Sequence, residues 1–224
     1  DSRGPISSFA SGPRHRRELR PGKMPTADLF DINPAGSDSH LQFMNWTADN
    51  NGAWDYAADT RGYTVGAMAE YDDRSWTIRY GVFAMPVVAN GIAMDWAFSR
   101  AHAQNGELEV RHGFVPQRKG TSRVLFFANT AHMGSYREAV NAYLAGEDAT
   151  PTITLHEHFG ALKYGFGYNV QQELTENARI FGRFGWNEGQ KESFAYTEVD
   201  QTVELGGDYF GRRWHRAADK LGVL

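Results

Sequence analysis

From residue 62 onward, apolar and polar side chains alternate with a period of two in successive runs, the pattern of strands that bury one face. Tyr63, Val65, Ala67, Ala69 and Tyr71 share one face, with Thr64, Gly66, Met68 and Glu70 on the other. Asp72-Asp73-Arg74 makes a short turn. Beyond it, Trp76, Ile78, Tyr80, Val82 and Ala84 alternate with Ser75, Thr77, Arg79, Gly81 and Phe83, which predicts an antiparallel hairpin. A weaker hairpin sets Leu108, Val110 and His112 against Glu107, Glu109 and Arg111, then Val124, Phe126 and Ala128 against Arg123, Phe127 and Asn129. The later runs are cleaner. Leu162, Tyr164, Phe166, Tyr168 and Val170 oppose Lys163, Gly165, Gly167, Asn169 and Gln171, and Ile180, Gly182, Phe184 and Trp186 oppose Arg179, Arg183 and Asn187. The last run places Val199, Val203, Leu205 and Tyr209 opposite Glu198, Asp200, Thr202, Glu204 and Asp208.

The connectors alternate in length. Short ones fall near residues 72–74, 115–120 and 173–177, and longer ones near 86–104, 131–157 and 188–196. Short turns at one end and long loops at the other are the habit of bacterial outer-membrane barrels; a soluble β-sandwich has no reason to sort its loops this way. Within 131–157, Ala139, Val140, Tyr143 and Leu144 recur at helical spacing before Gly146, which predicts a short helix over Tyr136 to Ala145. Residues 1–22 carry five arginines and three prolines without alternation, and are expected to form an irregular segment ahead of a single β-domain over 23–224.

Composition sharpens this picture at three points. The chain has 224 residues with a formal net charge of −4, so no overall positive field gathers nucleic acid. It contains no cysteine, which excludes disulfides, thiolate metal sites and a cysteine nucleophile. Its longest unbroken apolar run, Val124 to Ala128, is far short of the about 20 residues a membrane helix needs, whereas a barrel strand crosses with about 9–11, only alternate ones apolar.

Two passages carry a family resemblance. Phe43-Met44-Asn45-Trp46-Thr47-Ala48-Asp49-Asn50-Asn51-Gly52-Ala53-Trp54-Asp55-Tyr56-Ala57-Ala58-Asp59-Thr60-Arg61-Gly62-Tyr63-Thr64 resembles a stretch of the OprB family of carbohydrate-selective porins of Gram-negative bacteria. Ala178 to Gly189, followed by Phe194-Ala195-Tyr196-Thr197-Glu198, is similar to that family's late hairpin and loop. The resemblance extends over about residues 22–216. It implies an all-β, antiparallel transmembrane barrel of sixteen strands in the outer membrane, passing mono- and small oligosaccharides by diffusion through a polar channel narrowed by inward-folded loops. About seven to nine strands can be counted, so the expectation is a fragment covering about half of such a barrel. The implied partners are outer-membrane lipid and small carbohydrates, and a homo-oligomer is compatible with the reading. The alternative is a soluble β-sandwich carbohydrate-binding module, lectin-like, using the same aromatics.

If the apolar faces meet lipid, the opposite faces line a lumen with Glu70, Arg79, Glu107, Glu109, Arg111, Arg123, Lys163, Arg179, Arg183, Glu198, Asp200, Glu204 and Asp208. Both signs on adjacent strands offer directional partners to sugar hydroxyls; the plainer role is cross-strand pairing that stabilises the wall. Arg179 and Arg183, beside the acidic row of the following run, are the candidates for selectivity. Trp46, Trp54 and Trp96 are candidates for stacking on a pyranose, with loop packing as the plainer role. Trp76, Tyr71, Tyr168 and Trp186 fit an interfacial belt.

No metal or cofactor is called for. His156-Glu157-His158 lacks a third ligand, and Asp49 to Asp55 fails the calcium-loop spacing at Ala53. Ser99 with His102 is the nearest nucleophile and base, without a third member, so the expectation is a channel rather than an enzyme.

Overall fold

A computed structural model of the chain describes residues 15–195 and 197–224. Nine strands form one sheet in sequence order, every neighbouring pair antiparallel. They are β1 (His15–Met24), β2 (Thr64–Asp73), β3 (Trp76–Ala84), β4 (His102–His112), β5 (Gly120–Gly134), β6 (Glu157–Glu173), β7 (Ala178–Asn187), β8 (Gln201–Phe210) and β9 (Lys220–Val223). Connections 25–63, 85–101, 135–156 and 188–200 lie at one end of this meander, and the shorter 74–75, 113–119, 174–177 and 211–219 at the other. A single sheet in this order is an open stretch of barrel wall; the two packed sheets of a sandwich do not form.

The alternation sets the faces. Ile78, Leu108, Phe126, Tyr164, Phe166, Ile180, Phe184, Val203 and Leu205 are exposed on the outer face. Glu70, Arg79, Glu107, Arg123, Lys163, Arg183 and Glu204 are buried on the inner one. A water-soluble protein would reverse this distribution, and a wall in lipid requires it. The outer aromatics cluster laterally across strands: Phe166 lies 5.8 Å from Phe184 and 5.9 Å from Trp186, ring centre to ring centre. Tyr71 and Trp76, at 5.3 Å, flank the turn between β2 and β3, where a belt residue belongs.

Among the described residues two α-helices occupy the connections, α1 (Trp46–Asp49) and α2 (Tyr136–Leu144), besides three short 3-10 turns. The Ser135 side chain caps α2 by accepting from the Glu138 amide, and Gly146, at φ 76°, ends the turn, as the spacing predicted.

Two expectations need correction. The stretch 1–22 is not irregular throughout: residues 1–14 lie outside the described residues, but His15–Met24 form β1. Arg16, Glu18 and Arg20 turn partly inward, both arginines pairing with Glu18, while Arg17 and Leu19 are exposed, so burial alternates along β1 although hydropathy does not. Pro21 is tolerated because, among the described residues, β1 pairs only with β2, so a missing N–H leaves no second ladder broken there. The last run also begins later than its parity suggested. Glu198 has φ 49°, in the left-handed region, which interrupts extended backbone, and β8 starts at Gln201.

The outward position of Leu205, 76% exposed opposite Gly182 in mid-strand, makes it a probe of the lipid face. Leu205→Arg should lower stability in a bilayer by about 2–4 kcal/mol near the midplane, as read by urea unfolding from vesicles. Leu205→Met should leave it unchanged.

Candidate functional site

The concave face has two parts with different chemistry. Toward the long-loop end it is apolar: Met68, Phe83, Leu125, Phe127 and Met133 point inward and are buried. Toward the short-turn end it is charged. Arg79 donates to Glu70 at 2.5 Å and Glu107 at 2.6 Å, and reaches Glu109 at 3.2 Å. Arg123 donates to Glu109 at 3.0 Å, and Arg111 bridges Glu109 and Asp72, the latter at 2.7 Å. Six of the residues read from sequence as lumen-facing thus converge in one network across β2, β3, β4 and β5.

Residues 25–63, between β1 and β2, fold onto this face. Leu29, Phe30, Trp54 and Ala57 fill its apolar part. Phe30 meets Phe83 edge-on at 6.1 Å and Trp54 at 6.2 Å. Asp31, at φ 54° and buried, connects the segment to three strands. Its amide donates to Glu107 at 2.6 Å, its carboxylate accepts from Asn169 at 3.0 Å, and its other oxygen is 3.0 Å from Arg183. That oxygen also accepts from the Asn51 amide at 2.8 Å, closing the segment on itself. Arg183, 2% exposed, donates further to the Asp31 carbonyl at 3.1 Å, Ser37 Oγ at 2.9 Å and the carbonyls of Ala48 and Asp49.

A second buried aspartate fixes the far end of the segment. Asp55 accepts from the amides of Phe194 at 2.9 Å and Ala195 at 2.5 Å, which draws connection 188–200 inward too. Lys163 lies 3.9 Å from the Asp55 carboxylate and donates to Ser193 at 2.6 Å. Burial pushes the Asp55 carboxyl above the usual carboxylate range, against the pull of Lys163 and the two amides.

Close approach of the segment to the sheet depends on two glycines paired across β6 and β7. Gly167 and Gly185 face each other, and Asn51 occupies the space above both, donating to the Phe184 carbonyl at 2.9 Å. A Cβ on Gly167 would lie 2.6 Å from Asn51 Nδ2, and one on Gly185 would overlap the Asn51 carbonyl.

The segment also encloses, with Asp28, Ser37, Asp38, His40 and Asp49 among its lining, a hollow of about 310 Å³. Partial burial and the neighbouring Asp49 hold the Asp28 carboxyl above its ordinary range.

A match to the family model of OprB, the carbohydrate-selective porins, runs over residues 9–224. The chain belongs to the OprB family. A solved high-pH structure of Pseudomonas putida OprB is similar to it, with a TM-score of 0.66 at 18% identity over 92% of this chain and 49% of that one. The chain therefore spans about half the length of that porin. No protein of curated function matches it.

This OprB-family wall redistributes the residues expected to line a channel. Lys163 and Arg183 are sealed beneath the segment. Glu204 stands 3.6 Å from Arg183, while Arg179 pairs bidentately with Asp208 and remains half-buried at the short-turn end. Glu198 and Asp200 are not in the wall: both are exposed in connection 188–200, because β8 begins after them. Trp54 is not open to a ligand. It is 1% exposed, with its indole N–H donated to Asn105 at 3.2 Å. Trp46 on α1 and Trp96 in 85–101 are each 64% exposed. His156 and His158 serve separate carboxylates, Asp148 at 2.7 Å and Glu138 at 2.6 Å.

Asp31, Asn51 and Asp55 carry the docking from the segment and were not read from sequence as doing so, since their stretch has no period; Asn129, which the alternation did place on the polar face of β5, donates to the Asp55 carbonyl. The available signal was on the wall, where Lys163, Arg179 and Arg183 give β6 and β7 inward cations in need of partners, and where Gly165, Gly167 and Gly185 leave a strip without side chains.

Asp31→Asn removes the charge facing a sealed guanidinium and should cost about 3–5 kcal/mol. Limited trypsin digestion should then cut at Arg61 in the variant and spare it in the parent; unchanged protection would show that the segment is held elsewhere.

Proposed function

We infer that this chain builds about half the wall of a channel that passes small carbohydrates by passive diffusion, and that residues 25–63 set its width. One observation carries the reading: a sheet with an apolar outer face has its charged inner face partly filled by a segment from its own sequence. Membership of the OprB family places the wall in the outer membrane of a Gram-negative bacterium.

The arrangement separates two duties. Buried ion pairs hold the filling still, and the side of the segment turned away from the wall meets whatever passes. There, carboxylates and hydroxyls around the 310 Å³ hollow can exchange hydrogen bonds with water for hydrogen bonds with sugar hydroxyls. Trp46 lies on α1 one turn before Asp49 and Asn50, which line that hollow, so its exposed indole can cover the apolar face of a pyranose. No step requires bond making, and the reading is of a conduit rather than an enzyme.

Liposome swelling with the full-length protein tests it. Monosaccharides should enter fastest and rates should fall steeply with chain length; no swelling with any sugar would refute the reading. The two tryptophans should respond differently. Trp46→Ala should weaken sugar block of the single-channel current with little change in stability. Trp54→Ala, which empties a packed site, should cost about 3–5 kcal/mol in unfolding.

A further inference from the structure

At the short-turn end of the concave face, below the docked segment, lies a separate recess of about 440 Å³. Pro34 of the segment forms its roof, and its walls come from β4, β5, β6 and β7. Arg111, Thr121 and Gln171 stand side by side across three strands on the inward face, by the register Arg111 to Thr121 to Gln171. Arg179 lies opposite Glu173 at the lower edge, and Lys119 projects from the connection 113–119.

Three properties distinguish this recess from the hollow on the segment. Its lining bears three permanent cations, Arg111, Lys119 and Arg179, against the single carboxylate of Glu173, whereas the hollow is lined by Asp28, Asp38 and Asp49. Arg111 and Arg179 are already engaged with Asp72 and Asp208, but the exposed Lys119 ammonium has no partner among the described residues. The Gln171 Oε1 is buried without a hydrogen-bond partner, an unsatisfied group at the wall of a polar cavity.

We propose that this recess is a binding site for an acidic monosaccharide, one bearing a carboxylate on a pyranose ring. Lys119 meets the carboxylate, and Arg111 and Arg179, each already paired with a carboxylate, frame the site. Gln171 and Thr121 meet the ring hydroxyls. The inference deepens the passage reading and rests on it: a solute leaving the segment toward the short-turn end would meet this cationic pocket next, so anionic sugars would be retained there while neutral ones move on.

Calorimetric titration of the full chain in detergent, with D-glucuronate, D-glucose and acetate as probes, tests the site. Glucuronate should bind about tenfold or more tightly than either glucose or acetate. Lys119→Glu, on an exposed turn, should abolish the preference for glucuronate over glucose, and Gln171→Leu should weaken both sugars. Equal affinity for the three probes, acetate binding as tightly as glucuronate, or an undiminished preference in Lys119→Glu would overturn the proposal. Swelling of liposomes in glucose with the same protein keeps the two readings apart. Swelling without any glucuronate preference removes the recess alone, and glucuronate preference without swelling supports the recess while removing passage.

Discussion

The buried Asp31 carboxylate against the Arg183 guanidinium is the contact on which the rest of the interior depends. A barrel wall in lipid turns its polar residues inward, and a cation there must find either water or a fixed anion. Arg183 finds the anion and the backbone carbonyls of a segment whose sequence lies far from its own strand. The planar fork suits this, because several donors diverge from one group that stays charged at any physiological pH. With the guanidinium charge paired, the segment can lie flat on β6 and β7, and the hollow on it acquires a fixed floor.

The remaining charges follow the same logic at different depths. Arg79, Glu107 and Glu109 saturate one another within the wall, and Glu107 keeps one oxygen for the Asp31 amide. Wall and filling are thus one hydrogen-bonded body. Residues near the short turns are less committed: Arg179 is neutralised by Asp208 yet keeps part of its surface, and the Lys119 ammonium has no partner among the described residues. The charged part of the inner face is thus internally neutralised in mid-wall and less completely so near the short turns.

Strand order, facing and loop asymmetry were legible in the sequence because a period of two is a local signal and lipid outside makes it strong. Where either condition failed, the reading failed. β1 alternates in burial but not in hydropathy, with arginines on both faces, and carries Pro21, so it looked irregular. Glu198 and Asp200 share the parity of Glu204 without sharing its strand, since parity does not register the left-handed backbone at Glu198 itself. Trp54 has the composition of a sugar-stacking residue and the position of a core residue; side-chain type cannot separate those, only the packing of Phe30 and Asn105 around it can. Residues 25–63 had no period to read because tertiary partners, not a repeating face, determine how they lie.

The placement of that segment also constrains the order of assembly. It joins β1 to β2, yet its Asp31 bonds partners 76 and 152 positions away in the chain. Contacts of such separation form late and at high entropic cost, and they slow folding even where they add little to final stability. The segment rests on β4, β6 and β7 together, so its seat is incomplete until those strands have paired. Docking of residues 25–63 is therefore a late event, although the segment stands between the first two strands of the sheet.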